Sequence, residues 1–319
     1  MKINLSLTII LISQSLCHIP ILGIIMNLSN IYKNCPGCGS FKSKRIINCN
    51  NKSENLINSW INIHEERFFL PFTVCQKCSL YYVTKYFSKN KLDFLYNQLN
   101  DNNFANNDNA HLKTQNSYLE LIKKHFEKKT HTHIIEYGPD LGILTEGVKR
   151  YYNPSKYFLI EPNTKHHPNL KKLSNTQIYE NDDFINKLDN ESIDLIIMVH
   201  VFDHILNPYE KLKILHKKMK KSGKIILVTH NTDSLLRFIQ NKNWAPFCLY
   251  HPQLYNRKSL KILFKRSKFS KIKFSNTLNV FPLGIYLNGL TSLVNIKTNF
   301  KFGPNLKFPV GNIATISTK

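Results

Sequence analysis

Acidic residues are scarce in this chain: Asp and Glu number 21 against 44 Lys and Arg, for a formal charge of +23 over 319 residues. Taken alone, that imbalance suggests a polyanionic partner. The lysines are nevertheless scattered through a sequence equally heavy in Asn and Ile, the trio that AT-rich coding produces, so the charge does not by itself argue for nucleic acid. Uninterrupted apolar runs are also missing. Residues 3–25 are mostly Leu and Ile behind Lys2, but Asn4, Ser13, Gln14, Ser15, His18 and Pro20 break the stretch into a poor spanning helix. No small-x-small cleavage site is evident. Two expectations stay open: residues 1–25 are a hydrophobic leader that anchors the protein to a membrane, or translation starts at Met26 and they are an upstream extension of the reading frame. The second leaves the protein cytoplasmic. The cysteines, seven in number, do not make the even set of a secreted disulfide framework. What is present is 42% hydrophobic and 12% aromatic residues, enough to bury a core, which excludes wholesale disorder.

Four of the seven cysteines form two short pairs. Cys35-Pro36-Gly37-Cys38-Gly39-Ser40 places a thiolate at each end of a tight turn, and Gly39 permits the positive φ such a turn needs. The partner pair is Cys75-Gln76-Lys77-Cys78, after the apolar run Phe68 to Val74. The whole reads C-x2-C-x36-C-x2-C, and four soft ligands in two pairs suit tetrahedral zinc. Cys35, Cys38, Cys75 and Cys78 leave no open coordination position, so the expected metal is structural. Cys49 reads as an ordinary buried thiol. Tyr81-Tyr82-Val83 continues as a strand, and Ser88 caps a short helix carrying Leu92, Leu95 and Tyr96. The zinc-ribbon-like module is expected over residues 26–100, followed by an Asn-rich linker at 101–110.

From residue 111 to 319 the pattern alternates. A helical stripe of Leu112, Leu119, Ile122 and Phe126 precedes the apolar run His133 to Tyr137, a turn Gly138-Pro139-Asp140-Leu141-Gly142, and a helix from Leu144 to Tyr151. Further strands are expected at Tyr157–Ile160, Thr176–Tyr179 and Ile193–Val199, the last apolar enough to be buried on both faces. Asn207, Pro208 and Glu210 open a helix with the buried stripe Leu212, Leu215 and Met219; Gly223 is expected to end it before a strand Lys224–Thr229. The alternation predicts a doubly wound α/β domain with a mostly parallel sheet. Ligands in such sheets bind beyond the carboxyl ends of the strands, where Glu136, Gly138, Glu161, Asp182 and His200 all fall.

These segments together resemble the class I S-adenosylmethionine-dependent methyltransferases. Glu136 to Gly142 is similar to their first motif, an acid and then a glycine-rich turn opening a helix. Ser192 to Pro208 resembles the segment in which a fourth strand runs into an acid–His pair, and Lys221 to Thr229 the glycine turn and fifth strand. The resemblance implies a Rossmann-like sheet of seven strands and a cofactor site of Glu136, Gly138, Asp140, Gly142, Glu161, Asp182 and Val199, with Glu161 on the ribose hydroxyls and Asp182 at the adenine. One departure is Asp140 at the middle glycine of the usual G-x-G-x-G; Asp tolerates unusual φ, and its charge favours an ammonium or sulfonium. The double thiol module in front is similar to that of a subgroup acting in polysaccharide, deoxysugar and secondary-metabolite pathways. Trp244, His251-Pro252, Leu254 and a helix Lys258–Arg266 resemble the region that covers substrate in that group.

Methyl transfer from a sulfonium is an in-line displacement that needs alignment and exclusion of water; a hydroxyl or enol-carbon acceptor also wants a general base. His200 and His204 after the fourth strand, and His230 after the fifth, qualify because imidazole titrates near neutrality. His204 reads equally as a structural ring against the glycine turn, and Asp203 as a local hydrogen-bonding residue. The acceptor is expected to be a small molecule, a sugar or a secondary-metabolite intermediate. A nucleic-acid methyltransferase is the alternative: it lacks support from an Asn-Pro-Pro-aromatic box or a Pro-Cys context at Cys248, and a thiol spacing of 36 is long for an RNA-binding finger. A catalytically inactive, zinc-stapled scaffold is the third reading.

Overall fold

The computed structural model describes residues 28–48, 56–61, 68–99, 108–291, 298, 300 and 302–319. The leader at 1–25, Cys49 and most of the Asn-rich linker lie outside them. No helix of the described residues is long and apolar enough to cross a membrane.

The front of the chain is a small antiparallel assembly. Strands β1 (Ser29–Asn30), β2 (Ser43–Ile47), β3 (Phe72–Cys75), β4 (Tyr81–Val83) and β5 (Lys85–Tyr86) are joined by helices α1 (Leu56–Ile61) and α2 (Lys89–Gln98). β2, β3 and β4 form a sheet whose fourth strand, Gln253–Leu254, arrives from far down the chain and pairs with β4. The expected strand Phe68–Val74 is therefore shorter and shifted, starting at Phe72. Trp60, Phe72, Val83, Tyr86 and Leu95 share one buried cluster with Trp244, Phe247, Leu249 and Leu254. The front assembly is thus completed by residues 244–254.

Helix α3 (Asp108–His125) then leads into the large sheet, beginning inside the stretch expected to be linker. The sheet's strands are β6 (His133–Tyr137), β7 (Lys156–Ile160), β8 (Thr176–Tyr179), β9 (Ile193–Val199), β10 (Met219–His230), β12 (Ser270–Asn276) and β15 (Asn312–Thr318); the pair Gln253–Leu254 is β11, and a hairpin of β13 (Asn279–Pro282) and β14 (Asn305–Phe308) lies between β12 and β15. Their order is β12-β15-β10-β9-β6-β7-β8, with β15 antiparallel to both neighbours and the other pairs parallel. This is the seven-stranded, mostly parallel, Rossmann-like α/β sheet that the sequence implied. The order reverses between β6 and β9, the switch point at which a ligand crevice opens.

Period-two alternation assigns the two faces. Ile135, Tyr137, Phe158, Ile160, Ile196, Met198 and Leu227 face one core, covered by helices α6 (Pro208–Lys218) and α8 (Arg257–Arg266); Ile134, Leu159, Leu195, Ile197, Ile226 and Val228 face the other, under α3 and α4 (Ile143–Tyr152). The one acid inside β9, Asp194, is neutralised by the His133 N–H at 2.9 Å and Lys220 Nζ at 2.7 Å. Gly223 does not end α6. The helix stops at Lys218, and Gly223 lies within β10, where a side chain would come within 2.9 Å of the Ile193 carbonyl. Its smallness serves strand approach at an irregular register, not a helix cap.

Candidate active site

The turn after β6 holds three left-handed residues, Gly138 (φ +62°), Asp140 (φ +53°) and Gly142 (φ +82°). Gly138 is required twice over, since a Cβ there would meet Val201 Cγ2 at 2.5 Å. Asp140 adopts a φ that short polar side chains tolerate. Its N–H donates to Glu161 Oε2 at 3.1 Å, while Glu161 Oε1 accepts from the Asn163 N–H at 2.9 Å. The turn and the end of β7 are thereby locked together. His166 closes the group, with Nδ1 3.2 Å from Asp140 Oδ1 and 3.9 Å from Glu161 Oε1. Asp140 still presents its carboxylate outward, with the side chain 44% exposed.

Asp182, beyond β8, accepts from the Tyr137 hydroxyl at 3.0 Å and is ion-paired to Lys211 of α6. Glu136 takes the other face of β6. It is 2% exposed, receives the Tyr157 hydroxyl, and burial pushes its carboxyl up to about 7. The structure thus brings Asp140 and Glu161 into direct contact, sets Asp182 against Tyr137, and turns Glu136 into the core. Val199, the last residue of β9, is half-buried beneath the following turn.

That turn carries the candidate bases. His200 (φ +55°) has Nε2 3.0 Å from the Tyr118 hydroxyl, and its Nδ1 is buried with no hydrogen-bond partner among the described residues. His204 Nδ1 is 3.0 Å from the Tyr96 hydroxyl of α2. His230 and His251 complete a group of four imidazoles: ring centroids are 4.9 Å apart for His200–His230, 4.9 Å for His230–His251 and 4.8 Å for His204–His251. Burial holds all four below the usual imidazole range, reinforced by neighbouring rings at His200, His204 and His230; His200 and His251 lie at about 4. Near pH 7 they are neutral.

The switch point thus holds a glycine turn, an acid locked to it and, after β9 and β10, neutral imidazoles. Residues 110–273, more than half of the chain, match a family described as a methyltransferase domain. The chain belongs to that methyltransferase family. Among solved structures, a methyltransferase from Haloferax volcanii in complex with its Trm112 activator is 9% identical, with 67% of this chain and 91% of that one covered at a TM-score of 0.50. S-adenosylmethionine-dependent methyltransferases from Archaeoglobus fulgidus (16% identical, 64% and 94% covered, TM-score 0.45) and Thermotoga maritima (16% identical, 68% and 94% covered, TM-score 0.46) are also similar. No curated protein matches the sequence.

The chain is an S-adenosylmethionine-dependent methyltransferase, and the donor set fits that cofactor. Each Glu161 oxygen spends one lone pair on a backbone N–H and keeps another for a hydroxyl. When bound, the cofactor supplies an electrophilic methyl on a sulfonium; the methyltransferase's own residues orient it and exclude water. The four cysteines of the front assembly also converge. Cys35 and Cys78 sulfurs are 3.5 Å apart, Cys38 and Cys75 sulfurs 3.4 Å, and all four lie within 4.8 Å of one another. A tetrahedral Zn–S site has sulfurs about 3.8 Å apart. The Cys35–Cys78 hydrogen bond holds Cys35 down, to about 6, and pushes Cys78 up.

Several residues of the site escaped the sequence. Tyr118, His166, Lys211 and Asn312 carry no local motif and reach the site only through tertiary packing, and Tyr96 and Tyr137 stood in segments that gave them no site role. His251 stood within a segment expected to cover substrate, and His230 at the end of a strand, but nothing in the spacing paired them.

Proposed function

We propose that this methyltransferase acts on a small-molecule acceptor, a sugar or a secondary-metabolite intermediate, with His200 as general base. The observation that carries this reading is the contact between Tyr96 of the front assembly and His204 of the large domain. It brings an aromatic wall over the acceptor side, together with Tyr250, whose ring centroid is 6.3 Å from that of His204. Aromatic rings packed together in this way suit a compact acceptor better than a polymer. His200 is favoured over His204 because its buried Nδ1 is unengaged, whereas His204 Nδ1 is held by Tyr96. The ring is neutral at pH 7 and can take the proton of a hydroxyl as the methyl is transferred.

In this reading Glu161 binds the ribose hydroxyls and Asp182 stands near the adenine. Zinc held by Cys35, Cys38, Cys75 and Cys78 fixes the front assembly, whose reduced thiols suit the cytoplasm. The test is thermal shift with S-adenosylmethionine and with its demethylated product, followed by a screen of sugar and phenolic acceptors. Stabilisation by both cofactor forms and methylation of a small acceptor support the proposal; no stabilisation at saturating ligand overturns it.

A further inference from the structure

Asp203 is a fully buried acid beside the histidine group. It follows β9, and its Oδ2 accepts the His230 N–H at 3.1 Å while Oδ1 has no hydrogen-bond partner among the described residues. Burial pushes its carboxyl well above the usual carboxylate range, so the group either holds a proton or meets something electropositive. Among the described residues, the side chains that converge on it with metal-binding atoms are imidazoles. One atom each from Asp203, His230 and His251 lies within 4.8 Å of the other two.

The tautomers are set by the surroundings. His251 Nδ1 is 2.7 Å from the Pro246 carbonyl oxygen, and His230 Nδ1 is 3.0 Å from Asn312 Oδ1. Both contacts are to acceptors, so each ring donates from Nδ1 and keeps its lone pair on Nε2. An imidazole oriented by a carbonyl behind it is the usual support of a metal ligand. Asn312 is itself fixed, donating from Nδ2 to Asn279 Oδ1 at 3.2 Å.

We propose that Asp203, His230 and His251 bind a divalent first-row transition ion at the carboxyl ends of β9 and β10. Three atoms no more than 4.8 Å apart fit on a circle of radius about 2.8 Å. Closing them onto an ion at about 2.0–2.2 Å moves each by less than about 1 Å. Two imidazoles and one carboxylate favour zinc, cobalt or nickel over magnesium or calcium. Unlike the four-cysteine site, this one leaves coordination positions open. An acceptor oxygen placed there would be acidified beside His200, a consequence that rests on the methyltransferase reading; the ion binding does not.

The experiment is a cobalt(II) titration of the full chain, stripped of metal and kept reduced. Two equivalents are expected. One gives the intense thiolate-to-cobalt charge transfer of the cysteine site, and the other only weak d–d bands of nitrogen and oxygen ligands. Asp203→Asn and His251→Gln should each abolish the second equivalent and leave the thiolate band, which reports an intact fold. Binding of the thiolate type alone overturns the proposal, as does a second equivalent that survives both variants. Should either variant lose the thiolate band as well, anomalous diffraction at the cobalt edge from wild-type crystals decides. A peak bounded by the three residues supports the site, and its absence overturns it.

Discussion

The N–H of Asp140 donates to the carboxylate of Glu161 at 3.1 Å, tying the turn after one strand to the end of the next. The second oxygen of Glu161 is committed in the same way to the Asn163 N–H. Glu161→Gln therefore sets an amide NH2 against one of two backbone donors in a site that is 6% exposed. A buried donor left facing a donor costs about 1–3 kcal/mol. Affinity for the demethylated cofactor product should fall roughly 10- to 100-fold by calorimetry, with the circular dichroism spectrum unchanged. Unaltered affinity would show that Glu161 serves the turn alone.

Gly138 makes a separable prediction. Alanine at this position brings a Cβ to 2.5 Å from Val201 Cγ2 and must also hold φ +62°. Overpacking and left-handed strain together should destabilise Gly138→Ala by about 2–4 kcal/mol in urea. Val201→Ala removes the clash but not the strain, so the double variant should recover about half of the loss. Complete recovery would mean that backbone strain is negligible; no recovery would mean that the clash is.

What the sequence disclosed follows a physical rule. β9 was legible because burial on both faces demands a continuous apolar run, and Gly138 and Gly142 because a left-handed turn demands glycine. Alternation along β6 already held a further lesson: Glu136 shares a face with Ile134, so Tyr137 is the residue that reaches Asp182. Gly223 misled because its smallness answers a neighbouring strand's carbonyl, a contact without local signature. The histidine group was only half legible. His200 and His204 lie on one turn, but His251 joins them through the strand pairing of Gln253–Leu254 with the front sheet, and Tyr96 comes from that front assembly. Long-range pairing built the histidine group, and periodicity is silent on it.

Glu136 gives a pH dependence with a definite sign. Burial raises its carboxyl from 4.5 to about 7, so folding takes up a proton between those values. A neutral, buried acid stabilises fully below about pH 4.5, and that contribution is lost as the pH rises through 7. The span corresponds to a difference on the order of 3 kcal/mol. Glu136→Gln keeps an acceptor for the Tyr157 hydroxyl and cannot ionise. Its unfolding free energy relative to wild type should therefore improve between pH 5 and pH 8. Parallel pH profiles for the two proteins would contradict the assignment.

With zinc in the cysteine site as proposed, its removal should reach well beyond the front assembly. Cys35, Cys75 and Cys78 are buried in the same cluster as Leu80, Phe202, Leu263 and Phe264, and Arg266 of α8 donates to the Gly37 carbonyl inside the first thiol turn at 3.3 Å. Loss of the ion leaves buried thiols to share protons or repel, and binding energy at such sites is folding energy. Cys75→Ser, or a strong chelator, should therefore lower the melting temperature by at least about 10 °C, as a loss of several kcal/mol does in a domain of this size. Because the cluster continues to Phe202, beside the histidine-bearing turn, affinity for the demethylated cofactor product should fall in the same samples. A metal-free protein that melts in two steps, the later one unchanged in temperature and still shifted by cofactor, would instead establish that the thiol assembly folds on its own.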